Sequence, residues 1–328
     1  MNGQMRDRIL VTNDGSIHSL QTVRYVSSIL DPNQFEVVLF HVVTKVPESF
    51  IDIEQKIPEY LYRLVSVEAW EKQQQKAIRE SMGKAEAILK DAGFPNEAIT
   101  LRIEDRKIGI ARDIADESRN GYKALAVGRR GLSDLKDFML GSVAEHLLGL
   151  VSIPVWIVGG ESRSIKVLAC LDGSEGSMLA LNHLVDVLDA SKNFEITLFH
   201  AVRSFSGFRN FMHEVFSSEG DKTAIEKSDA ELTIFEAAFV GAGMMEPAFD
   251  KARAALISRG VEPARIHQKI ARGVSNSAHA IMEEAEKGGY DTILVGRRGL
   301  SKVEEFVMGR VSNRVIHMAK DKTVSVVC

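Results

Sequence analysis

Two glycine-arginine turns stand at equivalent points in the two halves of this chain. The first half carries Gly128-Arg129-Arg130-Gly131 directly after an apolar run, and the second carries Gly296-Arg297-Arg298-Gly299 in the same setting. Glycine allows the backbone to approach a ligand, and arginine matches the geometry of phosphate. Further on, Gly141-Ser142-Val143 marks a helix start, where backbone N–H groups and the helix dipole attract anions. The pattern favours a phosphate site in the first half, with Arg129 or Arg130 adding charge.

Each of these residues also has a purely structural explanation. Glycines often follow strands because the chain must turn, and Ser142 with Glu145 fits a capping box that needs no ligand. Asp14 and Asp172, which precede a Gly-Ser pair in each half, fit helix caps equally well. Their joint position at strand ends, mostly duplicated, favours a ligand site over these separate explanations.

The second half departs from the first at the helix start. Gly296, Gly299 and Gly309 keep the spacing, but Arg310 stands where the first half has Ser142. Arg310 either pairs with a phosphate or fills the pocket and pairs with a nearby carboxylate, and the sequence leaves both open. Two residues further on, Ser312 is a candidate replacement for the lost hydroxyl.

The chain repeats itself around these turns. Gly121–Ser133 returns, with largely the same residue types, as Gly289–Ser301, at an offset of 168 residues. Asp14-Gly15-Ser16 returns as Asp172-Gly173-Ser174, at an offset of 158. The repeat predicts two domains of one kind, over residues 1–160 and 161–328.

Each half alternates strands with helices. In the first half, apolar runs predict strands near 8–11, 35–43, 99–103, 124–127 and 155–158. Helices are predicted up to about residue 30, over 61–92, over 110–120 and from 142. The alternation predicts a doubly wound parallel sheet of about five strands per domain, a Rossmann-like α/β fold. Since the linker 159–164 reaches at most about 20 Å, we expect the domains to pack as an intramolecular pseudo-dimer.

Composition excludes several classes of protein. The 328 residues, 45% hydrophobic and 26% charged, suit a globular protein of two domains. A net charge of −4 gives no reason to expect nucleic acid or a membrane surface as a partner. The two cysteines, Cys170 and Cys328, form neither a disulfide framework nor a metal-binding pair. With no visible signal or membrane-spanning run, a cytoplasmic protein is expected.

The glycine pattern of the first half resembles a known signature. Gly-x-x-Gly, nine residues and then Gly-Ser, here Gly128–Gly131 followed by Gly141-Ser142, is similar to the ATP-binding signature of the universal stress protein family. The opening Ile9–Ser16 and the strand ending His41-Val42 are also similar to that family. Because both halves share the resemblance, the chain resembles a tandem universal stress protein.

The resemblance implies an adenine nucleotide, ATP, lying across the strand ends, with Mg²⁺ as a candidate companion of its phosphates. In the first domain it assigns the adenosine portion to Asp14 and Val42, the ribose and phosphates to Gly128, Arg130 and Gly131, and the phosphates to Gly141, Ser142 and Val143. The corresponding set in the second domain is Asp172, Ala201, Gly296, Arg298, Gly299, Gly309, Arg310, Val311 and Ser312. Asn13 departs from the apolar residue usual before the aspartate, which leaves the site intact if its side chain points away.

Three functions remain open at this stage. The first is an ATP-binding stress-response protein whose nucleotide state alters its shape or its choice of partner, a second copy or another protein. The second is a slow ATPase or nucleotidyl-transfer enzyme of related fold. The third is an interaction protein without nucleotide. Since no general base or nucleophile is evident at the phosphate turn, fast hydrolysis is not expected.

Overall fold

The fold is known from a computed structural model that describes residues 6–44, 67–131, 140–161, 164–203, 245–297 and 308–327. The chain divides into two units. The first takes Met1–Ser162 with Val187–Asp189 and Lys320–Ser325, and the second takes Arg163–Asp186, Ala190–Ala319 and Val326–Cys328. Among the described residues, no helix is both long and apolar enough to cross a membrane.

The first unit is a parallel sheet with helices between its strands. Its strands are β1 (Asp7–Thr12), β2 (Phe35–Val43), β3 (Ile99–Asp105), β4 (Ala124–Gly128) and β5 (Val155–Val158). Its helices are α1 (Ile17–Ile29), α2 (Val67–Asp91), α3 (Ile110–Ser118) and α4 (Ser142–Leu150). The strand order is β3-β2-β1-β4-β5, and every neighbouring pair is parallel.

The second unit repeats this arrangement. Its strands are β6 (Lys166–Cys170), β7 (Glu195–Arg203), β8 (Ile266–Val274), β9 (Thr292–Gly296) and β10 (Thr323–Val327). Its described helices are α5 (Glu175–Val187), α6 (Glu246–Ser258), α7 (Ser277–Lys287) and α8 (Arg310–Met318). Strand β6 lies between β7 and β9, β8 pairs with β7, and these pairs are parallel.

The central strands are buried on both faces, which is typical of a parallel sheet covered by helices. Ile9, Leu10 and Val11 of β1 are fully buried, as expected for a strand with helices on both faces. The ring of Trp156 on β5 packs edge-on against Tyr25 of α1, with centroids 6.2 Å apart, and joins the sheet to a covering helix. The predicted fold class is thereby confirmed: two doubly wound parallel-sheet domains.

Element boundaries follow the sequence with small differences. Strand β3 continues two residues past its predicted end, to Asp105, and α3 ends at Ser118 rather than near residue 120. Helix α2 is described from Val67, so the first residues of the predicted helix over 61–92 lie outside the described part of the chain.

Candidate functional site

A cavity of about 240 Å³ opens at the carboxyl ends of β1, β2 and β4, beside the start of α4. All eight residues proposed for the first domain line it: Asp14, Val42, Gly128, Arg130, Gly131, Gly141, Ser142 and Val143. Sequence reasoning did not assign the other lining residues, which are Thr12, Asn13, Ser19, Phe40, His41, Ile110, Ile114, Val127 and Ala144. The strand ends of a doubly wound sheet therefore bring the predicted residues together, as such sheets do for ligands.

The turn after β1 places the carboxylate of Asp14 at this cavity. Ser16 is the N-cap of α1 and accepts a hydrogen bond from the N–H of Ser19, so Asp14 is not the helix cap. Instead, Asp14 Oδ1 accepts the N–H of Ser16 at 3.0 Å. The other oxygen, Oδ2, lies so close to Gly131 that a Cβ there would stand 2.6 Å from it. Gly131 thus allows the carboxylate to approach the glycine turn.

The glycine turn is closed by backbone contact. The N–H of Gly141 donates to the carbonyl of Arg129 at 2.8 Å, and a Cβ at Gly141 would stand 3.0 Å from that oxygen. Gly309 and Arg297 make the same 2.8 Å bond in the second unit. Both domains therefore close the turn in the same way, and in the first domain a side chain at residue 141 would press on it.

Helix α4 begins without a side-chain cap. Its N-cap is Gly141, and Ser142 is already the first helical residue, so the capping box proposed for Ser142 and Glu145 does not form. The first four residues of this region, 141–144, all line the cavity. Since the first N–H groups of a helix lack partners within it, this end of α4 suits an anion.

The two arginines of the first turn have different surroundings. Arg130 lines the cavity, whereas Arg129 is only 2% exposed. Burial and the neighbouring charge of Arg130 lower the pKa of Arg129 to about 10, although Asp321 raises it. Arg130 is therefore the arginine placed to supply charge to the cavity.

Part of the cavity wall is apolar. Phe40, Ile110, Ile114 and Val127 line the cavity together with Val42. Such side chains suit the faces of a planar ring, while the polar lining residues suit phosphate.

The paired histidines have structural partners. Nδ1 of His41 lies 2.5 Å from the carbonyl of Asn13, and Nδ1 of His200 lies 2.6 Å from that of Leu171, so both rings donate to backbone. Among the described residues, no three His, Cys, Asp or Glu side chains are grouped to hold a metal ion.

In the second domain, Asp172 and Gly296 hold the same places as their counterparts. Asp172 Oδ1 accepts the N–H of Ser174 at 3.0 Å, as Asp14 does with Ser16, and Gly296 ends β9 as Gly128 ends β4. Ala201 lies on β7, at the position that pairs with Ala271 of β8. Two further predicted residues, Arg298 and Gly299, lie outside the described residues.

The start of α8 differs from that of α4. Arg310 and Val311 are exposed in its first turn, after the N-cap Gly309. The hydroxyl of Ser312 belongs to a residue that is 7% exposed, and it donates to the carbonyl of Gly296 at 2.7 Å. Its proton is therefore used within the fold, and the proposed ligand roles of Arg310 and Ser312 stay predictions.

A doubly wound sheet with a cavity at its carboxyl edge and a glycine-led helix start defines an α/β protein of the Rossmann-like class. The model of the universal stress protein family matches residues 5–159 and again 165–326. The chain therefore belongs to the universal stress protein family, in the tandem form that the internal repeat indicated.

One relative agrees with the family, and one solved structure agrees with the fold. A universal stress protein of Mycolicibacterium smegmatis is 25% identical over 320 residues, which cover 95% of this chain and 94% of that protein. The crystal structure of a universal stress protein from Archaeoglobus fulgidus has a TM-score of 0.53 and 20% identity, covering 98% of this chain and 97% of that one. A universal stress protein solved in complex with cAMP matches 51% of this chain and 99% of its own, with 19% identity and a TM-score of 0.34.

Proposed function

We propose that the first domain binds an adenine nucleotide, ATP, and that its occupancy tunes the conformation of the protein or its choice of protein partner. One observation carries the proposal: the eight residues selected from sequence line a single cavity at the carboxyl edge of the sheet. Membership of the universal stress protein family supports it.

The apolar and polar lining residues suit the two parts of a nucleotide. Val42 and Ile110 would contact the base, and Asp14 would accept hydrogen bonds from the adenosine portion. The start of α4 and Arg130 would hold the phosphates. Mg²⁺ is proposed only as a companion of the phosphates, because it is commonly held by phosphate oxygens with one or two carboxylates.

Binding is favoured over catalysis by the chemistry of the cavity walls. Among the described residues that line it, Asp14 alone carries a carboxylate, and one of its oxygens accepts the N–H of Ser16. A steady release of ADP that is proportional to protein and lost in Asp14→Ala would instead establish an ATPase.

The proposal is tested by measuring nucleotide directly. Freshly purified protein is denatured, released nucleotide is quantified by chromatography per mole of chain, and ATP is titrated calorimetrically into nucleotide-free protein. Gly141→Val should abolish binding in the first domain, because its side chain would press on the Arg129 carbonyl.

The matched control is Gly309→Val, which alters the equivalent turn of the second domain. It should leave first-domain binding unchanged. If the wild-type protein releases no nucleotide on denaturation and does not bind added ATP in calorimetry, the proposal is wrong. The function of an interaction protein without nucleotide then replaces it.

A further inference from the structure

Asn13 is a buried polar residue in the wall of the candidate site. Only 2% of it is exposed, yet it lines the cavity. Its Oδ1 accepts hydrogen bonds of 2.9 Å from the N–H of Gly15 and the hydroxyl of Ser81 on α2. It also lies 2.9 Å from the hydroxyl of Ser19 on α1, whose single proton is shared with the carbonyl of Ser16 at 2.8 Å. One amide oxygen therefore joins the Asp14 turn to two different helices.

The backbone of Asn13 ties the same point to the sheet. Its N–H donates to the carbonyl of Phe40 at 2.9 Å, and its carbonyl accepts from Nδ1 of His41. Phe40, His41 and Ser19 all line the cavity. Asn13 is thus the point at which β1, β2, α1 and α2 meet behind the carboxylate of Asp14.

The second domain shows that the fold does not need this side chain. Leu171 takes the place of Asn13 and keeps both backbone bonds, to the carbonyl of Phe199 at 2.8 Å and from the ring of His200 at 2.6 Å. Leu171 is buried, as Asn13 is.

The partner on α2 changes together with it. Gly93 and Gly260 follow α2 and α6 with left-handed φ angles of 94° and 92°, which aligns the two helix ends. Twelve residues before each glycine stand Ser81 and Ala248. The first domain therefore has two polar residues, Asn13 and Ser81, where the second has the apolar residues Leu171 and Ala248. The side chain that lies beside Gly173, as Ser81 lies beside Gly15, is that of Met245, which is also apolar.

The polar pair also carries a cost. Nδ2 of Asn13 is buried and has no hydrogen-bond partner among the described residues. Leaving a buried donor unsatisfied is unfavourable, and an apolar pair avoids the penalty. Because the second domain uses that less costly solution, fold stability alone does not account for Asn13 and Ser81.

We propose that Asn13 and Ser81 are positioning residues of the candidate site, which hold the Asp14 turn and couple helix α2 to its occupancy. The inference rests on the proposed function and deepens it by naming the contact through which nucleotide binding would change the surface of α2. A ligand that bonds to Asp14 restrains the turn, Asn13 passes the restraint to Ser81, and α2 becomes better ordered. The first half of α2 presents exposed side chains, Trp70 among them at 44%, so an ordered α2 changes the surface offered to partners.

Hydrogen exchange followed by mass spectrometry on the full chain tests this coupling, with and without ATP. In the wild-type protein, ATP should slow exchange of the amides around Ser81 about fivefold, the factor that corresponds to one hydrogen bond of ~1 kcal/mol. Helix α6, which has Ala248 instead, serves as the internal reference and should not respond.

Three variants isolate the contact. Ser81→Ala should bind ATP more weakly in calorimetry and, at saturating ATP, lose the response of α2, and Ser81→Thr, which keeps the hydroxyl, should retain both. Ser118→Ala removes another buried hydroxyl, one bonded only locally to the carbonyl of Ala115, and should behave as the wild type.

The outcomes separate the two proposals. If the wild-type protein does not bind ATP, the proposed function fails and the coupling with it. If ATP binds and α2 responds equally in the wild type and in Ser81→Ala, or does not respond in the wild type, the function stands and the coupling is wrong.

Discussion

The carboxylate of Asp14 lies against the backbone of Gly131. These two residues are far apart in sequence, and both line the cavity. A Cβ at residue 131 would stand 2.6 Å from Asp14 Oδ2, closer than such atoms approach in folded proteins. Gly131→Ala should therefore displace the carboxylate and lower the affinity for ATP about tenfold, or ~1.4 kcal/mol. Isothermal titration calorimetry measures this change.

The control for that substitution lies in the helix that follows. Gly149 is inside α4, and a Cβ at this position would have no atom of the described residues within 4 Å apart from the backbone of its own helix, so Gly149→Ala meets no obstacle there. It should stabilise the helix by about 0.5–1 kcal/mol and leave ATP affinity unchanged. Equal affinities for Gly131→Ala and Gly149→Ala would show that Asp14 does not contact the nucleotide.

Gly296 has a packing reason of its own in the second domain. A Cβ there would stand 2.7 Å from the carbonyl carbon of Gly176 and 2.9 Å from the backbone nitrogen of Ser177, at the start of α5. At the equivalent Gly128, the nearest atom is 3.1 Å away, the carbonyl oxygen of Arg130. Gly296→Ala should therefore destabilise the protein by about 1–3 kcal/mol and Gly128→Ala by less.

Scanning calorimetry of the two variants checks this order. A Gly296→Ala protein as stable as the wild type would contradict the packing argument. A destabilised Gly296→Ala protein would show that this glycine is required for packing whether or not the second domain binds a ligand. Its presence would then be no evidence for a second site.

Residues that follow buried strands were predictable from sequence, because parallel strands carry their carboxyl ends to one edge. That reasoning placed Asp14 and Gly128 at this edge, and both line one cavity, as does Gly141 at the start of α4. It left Arg129 and Arg130 as alternatives, because the inward and outward alternation of a strand no longer applies once the chain turns. The path of the turn decides which arginine is buried, and this is Arg129.

Two features required the folded structure. Ser142 fits a cap in sequence, but a shift of one residue makes Gly141 the cap and changes the role of the serine. Asn13 was allowed to point away from the site, whereas it lines the cavity and bonds to Ser81, 68 residues further along the chain. Such a long-range contact depends on how α2 packs, and its helical pattern does not encode it.

The difference between Ser142 and Arg310 can be tested by exchange. Ser142→Arg gives the first domain the residue of the second and should remove its nucleotide, since a guanidinium replaces a small hydroxyl at the start of α4. Ser142→Ala should weaken binding only about fivefold, the value of one hydrogen bond. Nucleotide released per mole of chain measures both effects.

The same count decides the role of Arg310. One nucleotide per chain in the wild type and none in Ser142→Arg would mean that the first domain alone binds. Two in the wild type and one in Ser142→Arg would identify Arg310 as compatible with phosphate, and Arg310→Ala would then show whether it is a ligand. An unchanged count in Ser142→Arg would refute the first-domain site.

Asp113 holds the loop that leads into the cavity wall. Its carboxylate accepts the N–H groups of Lys107 at 2.8 Å and Ile108 at 3.0 Å, just before Ile110. Burial raises the pKa of Asp113, but these bonds and one from Gly109 outweigh it, so the pKa lies below its ordinary value of 3.8. A lowered pKa in the folded state means that ionised Asp113 stabilises the protein.

Because the pKa of Asp113 is lowered by folding, the free energy of unfolding should fall as the pH is lowered. The contribution is complete above the pKa of the unfolded chain and disappears as the pH falls through the lower pKa of the folded state. Asp113→Ala should cost about 1–3 kcal/mol at pH 7, because the N–H groups of Lys107 and Ile108 lose a charged acceptor. Asp113→Asn, which keeps one oxygen acceptor, should cost less. Urea unfolding from pH 7 down to acid measures the difference from the wild type, which should narrow below the folded pKa; a difference independent of pH would show that Asp113 acts by packing and not by its charge.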